Sequence, residues 1–320
     1  MSSRRSDGSS RRQPRLLLTG CYGGLGSYLA HILIAQGWRV DGIDLATARR
    51  RRLPAGMDVR HLDLGSASNL PSIVVNYDGI LHLAGFSRVG DAHSRPLEAI
   101  RANIMGTANL LEAMRRAQRP PWMLFASSLE VNTDASGAYG LTNMYGLTKA
   151  ASELLSHRYA ADYGLVVAAA RIAGIYGSPD DNPDKVPLVF ALRALEGKPL
   201  RVAAGQRLMR YIHIDDVSKA LISAMRQLMR IRPPAFCVLD FRAGRKIGLE
   251  QLARLVCRKA GATSPIESFT LPASRELIAR NLTLQAPQVS LEQGLAELML
   301  ALRRADRKAT RAPRRRSGTI

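Results

Sequence analysis

At 320 residues, 46% of them apolar, the chain can bury one large core or two modest ones and is too hydrophobic to be a disordered polymer. Its net charge of +20 is uneven: residues 1–15 hold five Arg against one Asp, and residues 303–320 hold seven Arg and one Lys against one Asp, so the ends carry eleven of the twenty charges. Three scattered cysteines exclude a disulfide framework, the six histidines lack metal-ligand spacing, and no run of eighteen apolar residues free of glycine is present to span a membrane.

The basic tails, 1–14 and 303–320, read as solvated disordered extensions. Nucleic acid is not the expected partner, because no aromatic residue is interleaved with the charges to stack on bases. Arg11-Arg12-Gln13-Pro14 ahead of three leucines looks like an export signal, yet those leucines form the first strand and cannot be cleaved away. A transit peptide within the first fourteen residues stays open; otherwise the expected compartment is the reducing cytoplasm.

The first strand, 16–19, runs into Thr19-Gly20-Cys21-Tyr22-Gly23-Gly24-Leu25-Gly26 and then a helical segment, 27–36. Glycines at 20, 23 and 26 allow a tight turn, close approach to a pyrophosphate and close helix packing, while the helix amides face an anion. Gly24 and Leu25 complete the loop, which reads as a dinucleotide site. A second strand ends on Asp44, about twenty residues on, where an acid receives ribose hydroxyls. A carboxylate there repels a 2′-phosphate, so NAD is the expected cofactor; the run from Arg49 to Arg52 keeps NADP open.

Further strand-length apolar runs fall at 59–62, 79–83, 123–125 and 166–170. Between them, 96–118 shows helical spacing through Leu97, Ile100, Ile104, Leu110, Leu111 and Met114, with Ser94 as its expected cap. This alternation predicts a doubly wound parallel α/β sheet, a Rossmann fold over 15–170 with a return segment near 211–240. After 171 the rhythm breaks into Pro- and Asp-rich loops, a short strand entering a helix at Asp215-Asp216, and an amphipathic helix from 290 to about 302. A smaller, partly discontinuous substrate domain over 171–302 is expected there.

Tyr145 and Lys149 stand four apart, on one helix face. An ammonium beside a phenol stabilises phenolate and moves its proton affinity toward neutrality. Ser127 and Ser128 end the strand upstream, where a hydroxyl can hydrogen-bond a reacting oxygen.

Taken together, these motifs resemble the extended short-chain dehydrogenase/reductase family, in its NAD-dependent epimerase/dehydratase branch acting on nucleotide sugars. The likeness runs from about 16 to 298 and includes His61-Leu62-Asp63-Leu64, Leu81-His82-Leu83-Ala84-Gly85, the block opening Asn103-Ile104-Met105-Gly106-Thr107, Arg171-Ile172-Ala173-Gly174-Ile175-Tyr176-Gly177 and Tyr211-Ile212-His213-Ile214-Asp215-Asp216-Val217. It implies that Tyr145 is the acid/base, that Lys149 is its partner and a ligand of the nicotinamide ribose, and that Ser128, or alternatively Ser127, is the hydroxyl beside the reacting oxygen. Asp63 would meet the adenine amino group, with Leu64, Leu83, Ala84, Gly85 and Asn103 completing the cofactor set.

Three departures touch the substrate. Related dehydratases carry Thr-Asp-Glu where this chain has Ser128-Leu129-Glu130, so dehydration is disfavoured. Met209 stands where relatives hold a diphosphate-gripping Arg, with Arg207 and Arg210 nearby, and Gly174 replaces a family Asn. The expected substrate contacts are Ser127, Glu130, Gly174, Arg207 and Arg210; no metal is expected. The expected activity is NAD-dependent oxidoreduction at a sugar carbinol ending in epimerisation of a nucleotide sugar. A ketoreductase comes second and a non-catalytic nucleotide sensor or scaffold third. The resemblance also implies a homodimer through 96–118 and 145–162.

Overall fold

Three consecutive leucines without exposed surface make β1 (Arg15–Thr19), the pattern of a parallel strand covered on both faces. The glycine turn leads into α1 (Gly24–Ala35), then β2 (Arg39–Asp44), β3 (Val59–His61), α2 (Leu70–Val74) and β4 (Gly79–His82). The computed structural model describes residues 13–131, 143–204, 208–241 and 246–270. Residues 1–12 of the first basic tail, the whole of the second, Arg207 and the segment expected to be helical from 290 lie outside the described residues.

The expected helix over 96–118 runs without interruption from Pro96 to Arg115, as α4 (Pro96–Ala99), a π-helical stretch (Ile100–Met105) and α5 (Gly106–Arg115), and a separate short helix, α3 (Val89–Ser94), precedes it. Ser94 is not a cap: it ends α3, and its hydroxyl donates to Asp91 O at 3.2 Å. The carbonyl of Asn103 accepts hydroxyl bonds from Thr107 at 2.6 Å and Ser152 at 3.0 Å, and such insertion into the backbone ladder accompanies the widened turn.

Strand β5 (Trp122–Ser128) outruns its expected end by three residues, through Ser128. After α6 (Met144–Tyr163) and β6 (Val166–Ile172) come β7 (Gly174–Tyr176), α7 (Val186–Leu195), β8 (Leu200–Ala204), β9 (Leu208–Met209) and β10 (Tyr211–His213). Helix α8 (Ile214–Leu228) starts where a strand-to-helix entry was expected, its first turn holding Asp215 and Asp216. It leads to β11 (Ala235–Phe241), β12 (Ile247–Gly248), α9 (Leu249–Ala260) and β13 (Ile266–Thr270).

Seven strands form one parallel sheet in the order β11-β6-β5-β4-β1-β2-β3. Period-two alternation splits their side chains between two cores. Leu17, Ile80, Met123, Phe125, Val167 and Ala169 pack with Leu70, Leu110, Leu111 and Met114, on the face of α2, α5 and α6. Leu16, Leu18, Leu81, Leu124, Ala168 and Ala170 pack with Leu29 and Leu33 of α1 and Val217, Leu221 and Met225 of α8. Each such leucine contributes roughly 1.5–3 kcal/mol on burial, which is why the sheet is the rigid part of the chain. A smaller cluster gathers Phe190 of α7, Leu200 and Val202 of β8, and Leu252 and Ala253 of α9.

The chain builds outward from β1 in one direction and from β4 in the other. A crevice therefore opens at the carboxyl ends of β1 and β4, the place such folds give to ligands. Among the described residues no helix is long and apolar enough to cross a membrane.

Candidate active site

The crevice is a cleft of about 830 Å³. At one end the turn between β1 and α1 forms its floor. Gly20 has φ of +72°, and a Cβ there would stand 2.6 Å from Ala84 N; a Cβ on Gly26 would stand 2.1 Å from Gly20 O. Only glycine fits these two positions, and the result is a bare cradle under the first turn of α1. Gly23, Gly24 and Leu25 line it as well. Cys21, inside the turn, is buried, and burial pushes its thiol up to about 12, so it packs rather than reacts.

Asp44 closes the end of β2 beside this cradle. Its Oδ2 accepts from Tyr22 N at 2.7 Å and its Oδ1 from Leu45 N at 2.8 Å. Burial pushes the carboxyl up, and these two amides, His61 and Arg51 oppose the rise. Within the Arg49–Arg52 run, Arg51 is committed to backbone: Nη1 donates to Tyr22 O at 2.6 Å and Nε to Asp180 O at 2.8 Å. Asp63 lines the cleft, bonded to Gly65 N at 2.9 Å and Arg101 at 2.8 Å, and Leu64, Leu83, Ala84 and Gly85 line it too. A glycine cradle at a helix N-terminus, a strand-end carboxylate and an apolar slot fit a dinucleotide.

At the other end α6 begins. Its cap is Asn143, whose Oδ1 accepts from Gly146 N at 2.8 Å while its Nδ2 donates to Glu130 Oε2 at 2.8 Å. That cap sets the first turn so that Tyr145 lies in the cleft wall against Ser128. Burial pushes the Tyr145 phenol up to about 12; the Ser128 hydrogen bond pulls it down, and the Glu130 carboxylate pushes it up. Burial also brings the Lys149 ammonium down to about 8. Lys149 Nζ stands 5.9 Å from the Tyr145 ring centroid.

Two residues of the expected set are held by hydrogen bonds within the protein. Asn103, expected among the cofactor residues, is 1% exposed and its Oδ1 lies against Gly85 of the cleft wall. Its Oδ1 accepts from Phe86 N at 2.9 Å, and its Nδ2 donates to Thr148 Oγ1 at 2.8 Å, so it braces α6 from behind. Ser127, the alternative to Ser128, also lines the cleft, and its hydroxyl donates to buried Glu153 at 2.5 Å. Behind the wall, His82 bridges Thr19 (Nδ1 to Oγ1, 2.7 Å) and Thr107 (Nε2 to Oγ1, 3.1 Å). Burial, then Lys149, brings its imidazole down to about 3, so it stays neutral.

The substrate end is lined by Glu130, Gly174, Met209 and Tyr211. Gly174 lies against the Tyr211 ring, and its N–H donates to Arg210 O at 3.0 Å. Arg210 is not part of the cleft wall. Cleft residues that sequence reasoning missed come from one loop and its partners: Arg88 bonds Asp184 at 2.9 Å and Asp91 at 2.8 Å, and Lys185 bonds Asp181 at 2.8 Å. Asp181 Oδ1 comes so near Gly24 that a methyl there would stand 2.7 Å from it. It thus puts negative charge at the positive end of α1. Nothing in Asp-Asp-Asn-Pro-Asp says which element such a loop will cover.

Residues 16–238 match the model of the NAD dependent epimerase/dehydratase family. The chain belongs to that family. Among its relatives, UDP-glucuronate 4-epimerase 1 of Arabidopsis thaliana is 31% identical over 241 residues, which are 66% of this chain and 54% of that protein. The chain thus spans about half the length of that relative. UDP-glucuronate 4-epimerase of Thermodesulfobacterium geofontis is 25% identical over 87% of this chain and 93% of its own length. In structure, UDP-glucose 4-epimerase of Thermus thermophilus, in complex with NAD, superposes with a TM-score of 0.70 at 25% identity, covering 80% of this chain and 86% of its own. MoeE5, in complex with UDP-glucuronic acid and NAD, gives 0.68 at 27% identity, covering 80% and 85%. Family membership accounts for the glycine cradle and for the ordered blocks that follow it.

Proposed function

We propose that the chain is an NAD-dependent oxidoreductase of sugar carbinols whose net reaction is epimerisation of a nucleotide sugar. The observation that carries this reading is the meeting of Ser128 and Tyr145 in a cleft whose far end is the glycine cradle beside Asp44. NAD, when bound, supplies the acceptor and later the donor of one hydride. Gly20, Gly23, Gly24, Leu25 and Gly26 would hold its pyrophosphate, Asp44 its adenosine ribose hydroxyls, and Asp63, Leu64, Leu83, Ala84 and Gly85 the flanking walls.

Tyr145 takes the carbinol proton as the hydroxyl becomes a carbonyl and returns it when the opposite face is reduced. Ser128 donates a hydrogen bond to the same oxygen, stabilising charge as it changes. Lys149, as the ammonium, would stabilise the phenolate form of Tyr145 and anchor the nearby ribose. Leu129 stands where a dehydratase acid would be and packs against the apolar core, so the chain keeps no acid there to expel water. Glu130 and Gly174 are the nearest sugar contacts.

The named activities of the relatives make a UDP-hexose or a UDP-hexuronate the first substrates to try. A cytoplasmic location and a homodimer belong to the same reading. In support of the dimer, Leu97 is 79% exposed, Leu147 42% and Leu154 55%, along the helices 96–115 and α6. Two domains complete it, about 15–170 with a return segment near 211–240, and a second made mainly of 171–302.

Incubation with these nucleotide sugars in deuterated water, without added cofactor, tests the proposal. The expected product is an epimer with no solvent deuterium at the inverted carbon, from protein that releases NAD on denaturation. Stoichiometric consumption of added NADH or NADPH would replace the epimerase with a ketoreductase. Light scattering at the working concentration tests the dimer.

A further inference from the structure

One turn past Lys149 on α6 stands Glu153, on the same helix face as Tyr145 and Lys149 because positions four apart lie above one another. It is 1% exposed. Two neighbouring strands close on its carboxylate. Ser127 Oγ donates to Oε1 at 2.5 Å, and Arg171 donates from Nε to Oε1 at 3.0 Å and from Nη2 to Oε2 at 2.6 Å. Ser127 and Arg171 are register partners on β5 and β6, and both share the sheet face of Phe125 and Ala169, which α6 covers.

Stability alone is a poor reason for this arrangement. Replacing a buried ion pair by well-packed apolar residues is often neutral or stabilising. What a forked guanidinium–carboxylate contact supplies, and an apolar contact does not, is a fixed distance and angle between the groups it joins. Here it joins α6 one turn after Lys149, β5 one residue before Ser128, and β6 one residue before Ile172, where the substrate wall begins. The two elements that supply the reacting groups, α6 and β5, and the strand that begins the substrate wall, β6, meet at this one carboxylate.

We propose that Glu153 is a positioning residue for the reaction, holding the Tyr145–Lys149 face of α6 in register with Ser128 through Ser127 and Arg171. The proposal rests on the catalytic reading of Ser128, Tyr145 and Lys149 given above. Misplacement by about 1 Å is enough to cost on the order of 10²-fold in rate.

The test removes every polar group of the clamp at once, so that none is left buried without a partner: Ser127→Ala, Glu153→Met and Arg171→Met in the full chain. The expected result is a folded protein, with unfolding midpoint at or above that of the parent, whose kcat for epimerisation falls about 10- to 100-fold while KM and NAD affinity hold. A folded triple variant with parental kcat overturns the proposal, because a clamp that serves stability alone would leave the rate intact. If the triple variant does not fold, Glu153→Gln, which keeps shape and the Ser127 contact, carries the test on the same split: a lowered kcat at constant KM supports the clamp, and an unchanged kcat overturns it. Tyr145→Phe is assayed alongside. If it stays active, the catalytic reading falls and this proposal with it; if it is dead beside a fully active triple variant, only the positioning role falls.

Discussion

At the nucleotide end of the cleft, Gly20, Gly26 and Asp44 act through backbone shape and two amide donors, whereas the substrate end is assembled from side chains of separated segments, Glu130, Gly174, Lys185 and Met209. The first kind of site is written in a short stretch of chain, because a turn that admits only glycine needs glycine whatever surrounds it. The second depends on where loops come to rest. The two ends also touch: Asp181, from the loop-rich half, lies on Gly24, and Arg51, from the nucleotide half, holds the Asp180 carbonyl. The comparison teaches that a site built on backbone shape is carried by a short motif, while one built from separated side chains is fixed only by where the loops meet.

The largest expected effect lies where the ends meet. Tyr145→Phe removes the one transferable proton and leaves both walls standing, so kcat should fall about 10²–10⁴-fold. Titration calorimetry should find NAD affinity unchanged; a joint loss of both would mean that the phenol belongs to the nucleotide end.

Lys149 sharpens the same boundary through pH. Its folded value of about 8 lies below the ordinary 10.5, so between these values the unfolded chain binds more protons than the folded one. Stability should rise with pH across that window, by a total on the order of 3 kcal/mol. Urea unfolding near either end of the window, for the parent and for Lys149→Met, isolates this contribution; identical pH dependences would show that the ammonium stays hydrated.

A smaller effect is expected wholly inside the nucleotide end. Asp44→Ala should shift the balance of NADH over NADPH binding by roughly 1–3 kcal/mol toward NADPH. Fluorescence titration with both nucleotides reads it, and an unchanged ratio would pass control of the ribose to the Arg49–Arg52 run.

The smallest tests whether the loop-rich half reaches the nucleotide. Asp181→Asn removes a negative charge from the N-terminus of α1, where a pyrophosphate would otherwise have the helix to itself; NAD should bind tighter by about 0.3–1 kcal/mol, more so at low salt. Weaker binding would make Asp181 a support of the cradle instead of a competitor.

The strands at 16–19, 40–43, 79–83 and 166–170, the glycine turn, Asp44 and the Tyr145–Lys149 spacing were all legible in the chain, because each rests on local pattern: apolar runs for strands buried on both faces, positive φ or close backbone approach for glycine, four-residue spacing on a helix. Tertiary structure alone decided the rest. It widened one turn of the 96–115 helix around Asn103, whose backbone carbonyl accepts from Thr107 and Ser152, and it gave the Asn103 side chain to Phe86 and Thr148. It set the Ser127 hydroxyl on Glu153, and it buried the Tyr145 phenol so that desolvation pushes its proton affinity up, which depends on everything packed around the ring. It also laid residues 180–185 over the glycine turn through Arg51 and Asp181, contacts between groups more than a hundred residues apart that no local spacing encodes.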